Sequence, residues 1–153
     1  MRINGTNDVP VANADAGTAR EKGGLDNAIA GFDATGNALT NDTDVDASDT
    51  KTVVTIQAGT GTAVAVPAAS TGEDGYIEVD GLYGTLRIGA DGIYRYLVDE
   101  ANATVQALRT EANTVQDVFT YLTHVCELME NAPAVHHYVL HFTMNCNSPT
   151  EEN

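Results

Sequence analysis

The sequence has no tryptophan, two cysteines, four prolines and only seven Lys and Arg against 22 Asp and Glu. Each scarcity excludes something. A net charge of −15 and a pI near 4.2 leave no basic face for phosphate, so nucleic acid is ruled out as a partner. Anionic membrane surfaces are disfavoured for the same reason. No apolar run approaches the roughly 20 residues of a membrane helix, so membrane insertion is not expected. Met1–Thr6 has no apolar core of the signal-peptide kind. Residues before Cys126 contain no cysteine, so the fold is not read as stapled by disulfides; Cys126 and Cys146 could pair, stay free or bind metal. No nucleophile elbow, P-loop or dinucleotide fingerprint is present. Carboxylates are so widespread that no pair stands out as catalytic, and an enzyme is not expected.

What is present is a Thr-, Val-, Gly- and Asp-rich chain with short bursts of alternation. The segments 53–56, 62–66, 76–79, 83–88, 93–98 and 118–123 read as strands, and 135–144 reads as a last one. Gly89-Ala90-Asp91-Gly92 reads as a hairpin turn, because Asp-Gly tolerates positive φ. Many short strands with frequent turn signals predict an all-β sandwich. One short helical turn is expected near 100–110, capped by Asp99, with Ala101, Val105, Leu108 and Ala112 forming a core stripe.

The densest chemistry lies at Asn41-Asp42-Thr43-Asp44-Val45-Asp46-Ala47-Ser48-Asp49. In an extended loop Asp42, Asp44 and Asp46 point the same way, and a hard cation such as Ca²⁺ would relieve their repulsion. The competing reading is a solvated acidic turn. The loop is not an EF-hand: counted from Asp42, Ala47 stands where Gly is needed and Val53 where a bidentate Glu is needed.

Several segments in order resemble a known family. They are Ile3–Ala12, Gly36–Asp46, Tyr83–Leu86, Gly89–Gly92, Tyr94–Tyr96, Asp99–Ala103, Val105–Leu108 and Phe119–Tyr121. Together they resemble one VCBS repeat, a cadherin-like or immunoglobulin-like module of giant bacterial surface adhesins, over residues 3–123. The resemblance implies a β-sandwich strung in tandem in a secreted or surface-anchored protein. It implies type I secretion, with the signal at the far C-terminus of the whole protein. Neighbouring repeats would be its partners, and cell adhesion and biofilm formation its setting. On that analogy residues 1–12 hold a linker-like segment and first strand, and residues 13–144 form a single repeat. The linker residues Asn7 and Asp8 join Asn41, Asp42, Asp44, Asp46 and Asp49 as candidate Ca²⁺ ligands, and Glu21, near the loop end of the first strand, is a secondary candidate. After Thr123 the sequence departs from the family pattern, as in a degenerate or frameshifted repeat end, and residues 145–153 read as a disordered tail.

Two other readings follow. His124, Cys126, His137 and His141 could be zinc ligands, but their spacings match no zinc motif, and chance clustering on an exposed strand face is the better account. A carbohydrate-binding sandwich that meets cell-surface or matrix polysaccharide through exposed aromatics is the alternative function, with six Tyr but no Trp to supply them.

Overall fold

The computed structural model describes residues 11–46, 50–110, 112–126 and 138–147, with the backbone alone of 124–126, 138–145 and 147. Nine strands form two sheets. The five-stranded sheet has the order β1 (Asp15–Arg20), β9 (Tyr138–Asn147), β8 (Thr114–Cys126), β3 (Thr50–Ala58), β4 (Val64–Ala65). The four-stranded sheet has the order β2 (Ala34–Asn37), β7 (Ile93–Val98), β6 (Gly84–Ile88), β5 (Ile77–Asp80). All pairings are antiparallel except β1 with β9, which run parallel with Asp15 opposite Phe142 and Arg20 opposite Asn147.

Period-2 patterning produces the sandwich. In β6, Gly84, Leu86 and Ile88 are buried while Thr85 and Arg87 face outward; in β7, Tyr94 and Tyr96 are buried while Ile93 and Arg95 are exposed. The inner faces meet in a core of Val53, Ile56, Leu86, Ile88, Tyr96, Phe119 and Tyr121. Tyr96 and Phe119 pack edge to face across the sheets at 6.1 Å. Burying each such side chain stabilises the fold by about 1.5–3 kcal/mol. A bulge between Val53 and Thr55 interrupts the β3–β8 register, and Val53 N–H instead donates to Ala90 O in the β6–β7 turn at 2.9 Å. That turn holds Gly92 at φ 77°, as its Asp-Gly sequence predicts.

The architecture is the expected cadherin- or immunoglobulin-like β-sandwich. The strand details differ. β1 and β2 are not legible as strands, and β4 spans two residues rather than five. β9 runs on to Asn147, past the expected end at 144 and into the stretch read as tail; residues 135–137 of the expected strand and 148–153 of the tail lie outside the described ones. Near 100–110 there is no regular helix but a run of turns with one i→i+4 bond, Gln106 N–H to Asn102 O at 2.9 Å. Asn102 organises it: its Oδ1 accepts Thr104 N–H at 2.9 Å and Val105 N–H at 3.3 Å, and its Nδ2 donates to Leu82 O. Asp99 Oδ1 caps Ala101 N–H at 2.9 Å, and Val105 alone of the expected stripe is fully buried.

Candidate functional site

The acidic loop connects β2 to β3. Asn37 starts it, accepting Leu39 N–H at 2.8 Å and donating to Asp91 O at 3.1 Å. Asp42 then turns inward and is 6% exposed. Its Oδ1 accepts Asn13 N–H at 2.9 Å, and its Oδ2 lies 3.5 Å from the Tyr121 hydroxyl. That hydroxyl is also 2.8 Å from Ala38 O and 3.1 Å from Asp15 Oδ2. One phenolic proton therefore faces three acceptors. The Lys51 ammonium donates to the carbonyls of Leu39 and Asp42 rather than to a carboxylate. Burial pushes the Asp15 carboxyl up to about 6, with the charge of Asp42 adding to the rise and Tyr121 and Asn41 opposing it. Burial raises Asp42 as well, against the pull of Asn13 N–H, Lys51 and Tyr121.

The chain ahead of β1 is clipped to this loop. Val11 N–H donates to Thr43 O at 2.7 Å and Thr43 N–H to Val11 O at 2.9 Å. Asn13 Nδ2 donates to Asn41 O at 2.8 Å, and Asn41 Nδ2 to Ala14 O at 3.1 Å. Asn41 is thus engaged in fastening the linker. Asp44 Oδ1 accepts Asp46 N–H at 2.9 Å, a local turn, while Asp44 Oδ2 is buried with no hydrogen-bond partner among the described residues. The expected convergence of Asp42, Asp44 and Asp46 is not what the loop does: among the described residues no three His, Cys, Asp or Glu gather as a group able to hold a metal. Asn7, Asp8 and Asp49 lie outside the described residues.

Glu21 lies past the far end of β1, 2% exposed. Gln106 Nε2 donates to Glu21 Oε2 at 3.2 Å and to Glu100 Oε2 at 3.5 Å, and Glu100 accepts Lys22 N–H at 3.1 and 3.2 Å. Glu21, Lys22 and Gln106 border a polar cavity of about 150 Å³ with Gly23 and Arg109. Glu21 is therefore not a member of the Asp42 loop cluster but of a second acidic site at the opposite end of the sandwich. Glu100 and Gln106 there, and Asp15, Asn13 and Tyr121 at the first end, were missed by sequence reasoning. Their one signal was position, since Asp15 and Glu21 flank a strand too polar to be read as one.

A third buried carboxylate is self-contained. Asp117, 2% exposed, accepts Leu82 N–H at 2.7 Å, Tyr83 N–H at 2.9 Å and the Tyr96 hydroxyl at 2.6 Å. Gly81 makes room for it; a Cβ there would collide with the carboxylate.

Cys146 is a free thiol buried beside the Tyr96 hydroxyl at 3.7 Å. Its register partner Val115 lies near the start of β8, whereas Cys126 ends that strand, so the two cysteines sit at opposite ends and do not pair. Of the zinc candidates, His124 and Cys126 lie in β8 and His141 in β9 by backbone alone, and His137 lies outside the described residues. No helix among the described residues is long and apolar enough to cross a membrane.

No curated protein matches the sequence significantly. A family model does match, over residues 7–125, which takes in Asn7 and Asp8 of the linker-like segment, the Asp42 loop, the Glu21–Glu100 end and the strands through Val125 of β8. The chain belongs to the bacterial cadherin-like domain family.

Proposed function

We propose that this domain is a VCBS-type structural repeat of an extracellular bacterial adhesin, without catalytic activity of its own. In this reading Ca²⁺ at the Asp42 loop stiffens the junction to the neighbouring repeat, keeps the array extended, and so serves adhesion and biofilm formation. The observation that carries it is an excess of acceptors over donors: Asp44 Oδ2 is buried and without a hydrogen-bond partner among the described residues, and Asp15 and Asp42 share one phenolic proton. A hard cation with oxygen ligands supplies what is missing. The Val11–Thr43 clip lies three residues past Asp8, so the linker carboxylate is within chain reach of Asp44. Asp44 would anchor the ion, with Asp46, Asn7, Asp8 and Asp49 completing its shell, while Asp42 backs the site from inside through Asn13 and Tyr121. Glu21 and Glu100 offer a like arrangement at the other end, toward a following repeat. Calorimetric titration with Ca²⁺ tests this; no heat and no thermal stabilisation at about 5 mM, above the usual range for extracellular modules, would refute it.

A carbohydrate-binding role draws on a different feature. The outer face of the four-stranded sheet carries a groove of about 470 Å³ bordered by Tyr76, Arg87, Ile93 and Arg95. Arg87 stacks 5.1 Å from the Tyr76 ring, and Ile93 is 42% exposed. Affinity electrophoresis against soluble polysaccharides, with Tyr76→Ala as the control, separates this reading from the structural one.

A further inference from the structure

Two of the seven Lys and Arg of this acidic chain sit side by side. Arg87 of β6 and Arg95 of β7 are register partners on the outer face of the four-stranded sheet. Like charges placed directly opposite each other weaken a sheet, so the pair is not there for stability. Each guanidinium is pinned by one carboxylate. Arg87 Nε donates to Glu78 Oε1 at 2.6 Å, and Arg95 Nε and Nη2 both meet Asp33 Oδ2, at 2.8 and 2.6 Å. A guanidinium carries five N–H donors, so these contacts use one on Arg87 and two on Arg95. The other donors have no partner among the described residues, and both side chains border the groove of about 470 Å³. The Arg87 guanidinium lies over the Tyr76 ring, 5.1 Å from its centroid. That stack covers one face of the ring and braces the guanidinium, so the distinctive chemistry of the groove is charge rather than aromatic stacking. Glu73 is exposed and is the one carboxylate among the residues bordering the groove; Thr35 adds a hydroxyl, and Ile93, 42% exposed, adds apolar surface.

We propose that this groove binds the uronate units of an acidic polysaccharide. A uronate brings a carboxylate for the two guanidiniums, ring hydroxyls for Glu73 and Thr35, and a C–H face for Ile93. A simple anion makes no use of Glu73, and a neutral sugar makes no use of the paired charge. The net charge of −15 does not forbid the contact, because charges more than about 8 Å away are largely screened at physiological ionic strength. Of the nearby carboxylates, Glu78 and Asp33 are already committed to the arginines. The inference rests on the carbohydrate reading of the groove and assigns its ligand class; it does not depend on the metal-binding reading.

Chemical-shift titration of the full chain tests it, in EDTA so that no calcium bridges the partners. The probes are a short oligouronate, the same oligomer with its carboxyls reduced to alcohols, and acetate. The oligouronate is expected to shift the backbone amides of residues 35–36, 72–76, 87 and 93–95 saturably, with the reduced oligomer binding about tenfold more weakly, as for one lost charge-assisted hydrogen bond. Arg87→Gln and Arg95→Gln should each weaken the oligouronate by about tenfold for the same reason. Glu73→Gln should weaken it severalfold and leave acetate unaffected. All three positions lie at the surface, and melting temperatures check that the variants fold. Equal binding of the oligouronate and its reduced form, unmoved by the arginine variants, would overturn the acidic assignment and keep the carbohydrate reading. Saturable shifts from neither oligomer would overturn both. Acetate binding as tightly as the oligouronate would reduce the groove to a simple anion site and overturn the proposal as well.

Discussion

Asp117 at one end of the sandwich and Asp42 with the half-buried Asp15 at the other are carboxylates that each touch a core tyrosine, and they are solved differently. Asp117 has three protein donors, two of them backbone N–H groups of the β5–β6 turn, and asks for nothing more. Asp15 and Asp42 compete for a Tyr121 proton that also faces Ala38 O. The lesson concerns satisfaction rather than burial. A carboxylate whose donors come from the fold is structural, whereas one left short calls for a proton or a cation from outside.

The contrast breaks if removing Asp117 is cheap. Asp117→Ala strands two N–H groups and a hydroxyl and should cost about 3–5 kcal/mol, lowering the melting temperature by on the order of 10 °C, with or without Ca²⁺. Tyr121→Phe should cost less, about 1–2 kcal/mol, read by denaturant titration in EDTA. Ca²⁺ at tenfold excess over its Kd should add about 1.4 kcal/mol, or about 3–6 °C, by binding the folded state alone. Asp44→Ala should remove most of that increment. Asp91→Ala loses the bonds to Gly72 and Ile93 N–H and lowers stability in both buffers, but should leave the increment intact. If Asp44→Ala and Asp91→Ala respond alike to Ca²⁺, the acidic loop is not the binding site.

The smallest effect is a pH dependence. The Asp15 carboxyl sits at about 6 folded, against about 3.9 in an unfolded chain, so the folded state takes up the proton first. Stability in EDTA should therefore rise as the pH falls from 7 towards 5, the reverse of a salt-bridged Asp. Asp42 is shifted the same way, so Asp15→Asn should flatten this slope without abolishing it, and should raise the melting temperature at pH 7. A melting temperature that falls over this window in the unmodified protein would contradict the strained-pair picture.

The β-sandwich was legible because β3, β6, β7 and β8 alternate apolar and polar residues, and each alternation became an inner and an outer face. β1 and β2 were not legible because Asp-Ala-Gly-Thr-Ala-Arg and Ala-Thr-Gly-Asn are poor strand formers. They are strands because β9 and β7 offer them ladders, a tertiary effect that local propensity does not contain. The 100–110 segment misled in the usual direction: Val105 looked like part of a stripe but is a single anchor, and the Asn102 side chain competes with helical bonds. At the acidic loop, sequence named Asp42 but not its partners. Asp15 lies 27 positions away and Tyr121 comes from the opposite side of the chain, and only the folded sheet brings them together.

The absence of tryptophan and the burial of Tyr96 and Tyr121 have an optical consequence. Burial first, and then the neighbouring carboxylates, push both phenols far above their ordinary value of 10. In an alkaline titration these two chromophores should stay un-ionised while solvent-facing phenols convert to the ultraviolet-absorbing phenolate. Their own absorbance should then appear only when the sandwich opens. Because no indole emission masks it, tyrosine fluorescence should brighten at the same moment, as the hydroxyls leave the carboxylates that quench them. The protein thus carries a label-free gauge with one reporter near each end, Tyr96 at Asp117 and Tyr121 at Asp42, able to show whether the two ends let go together.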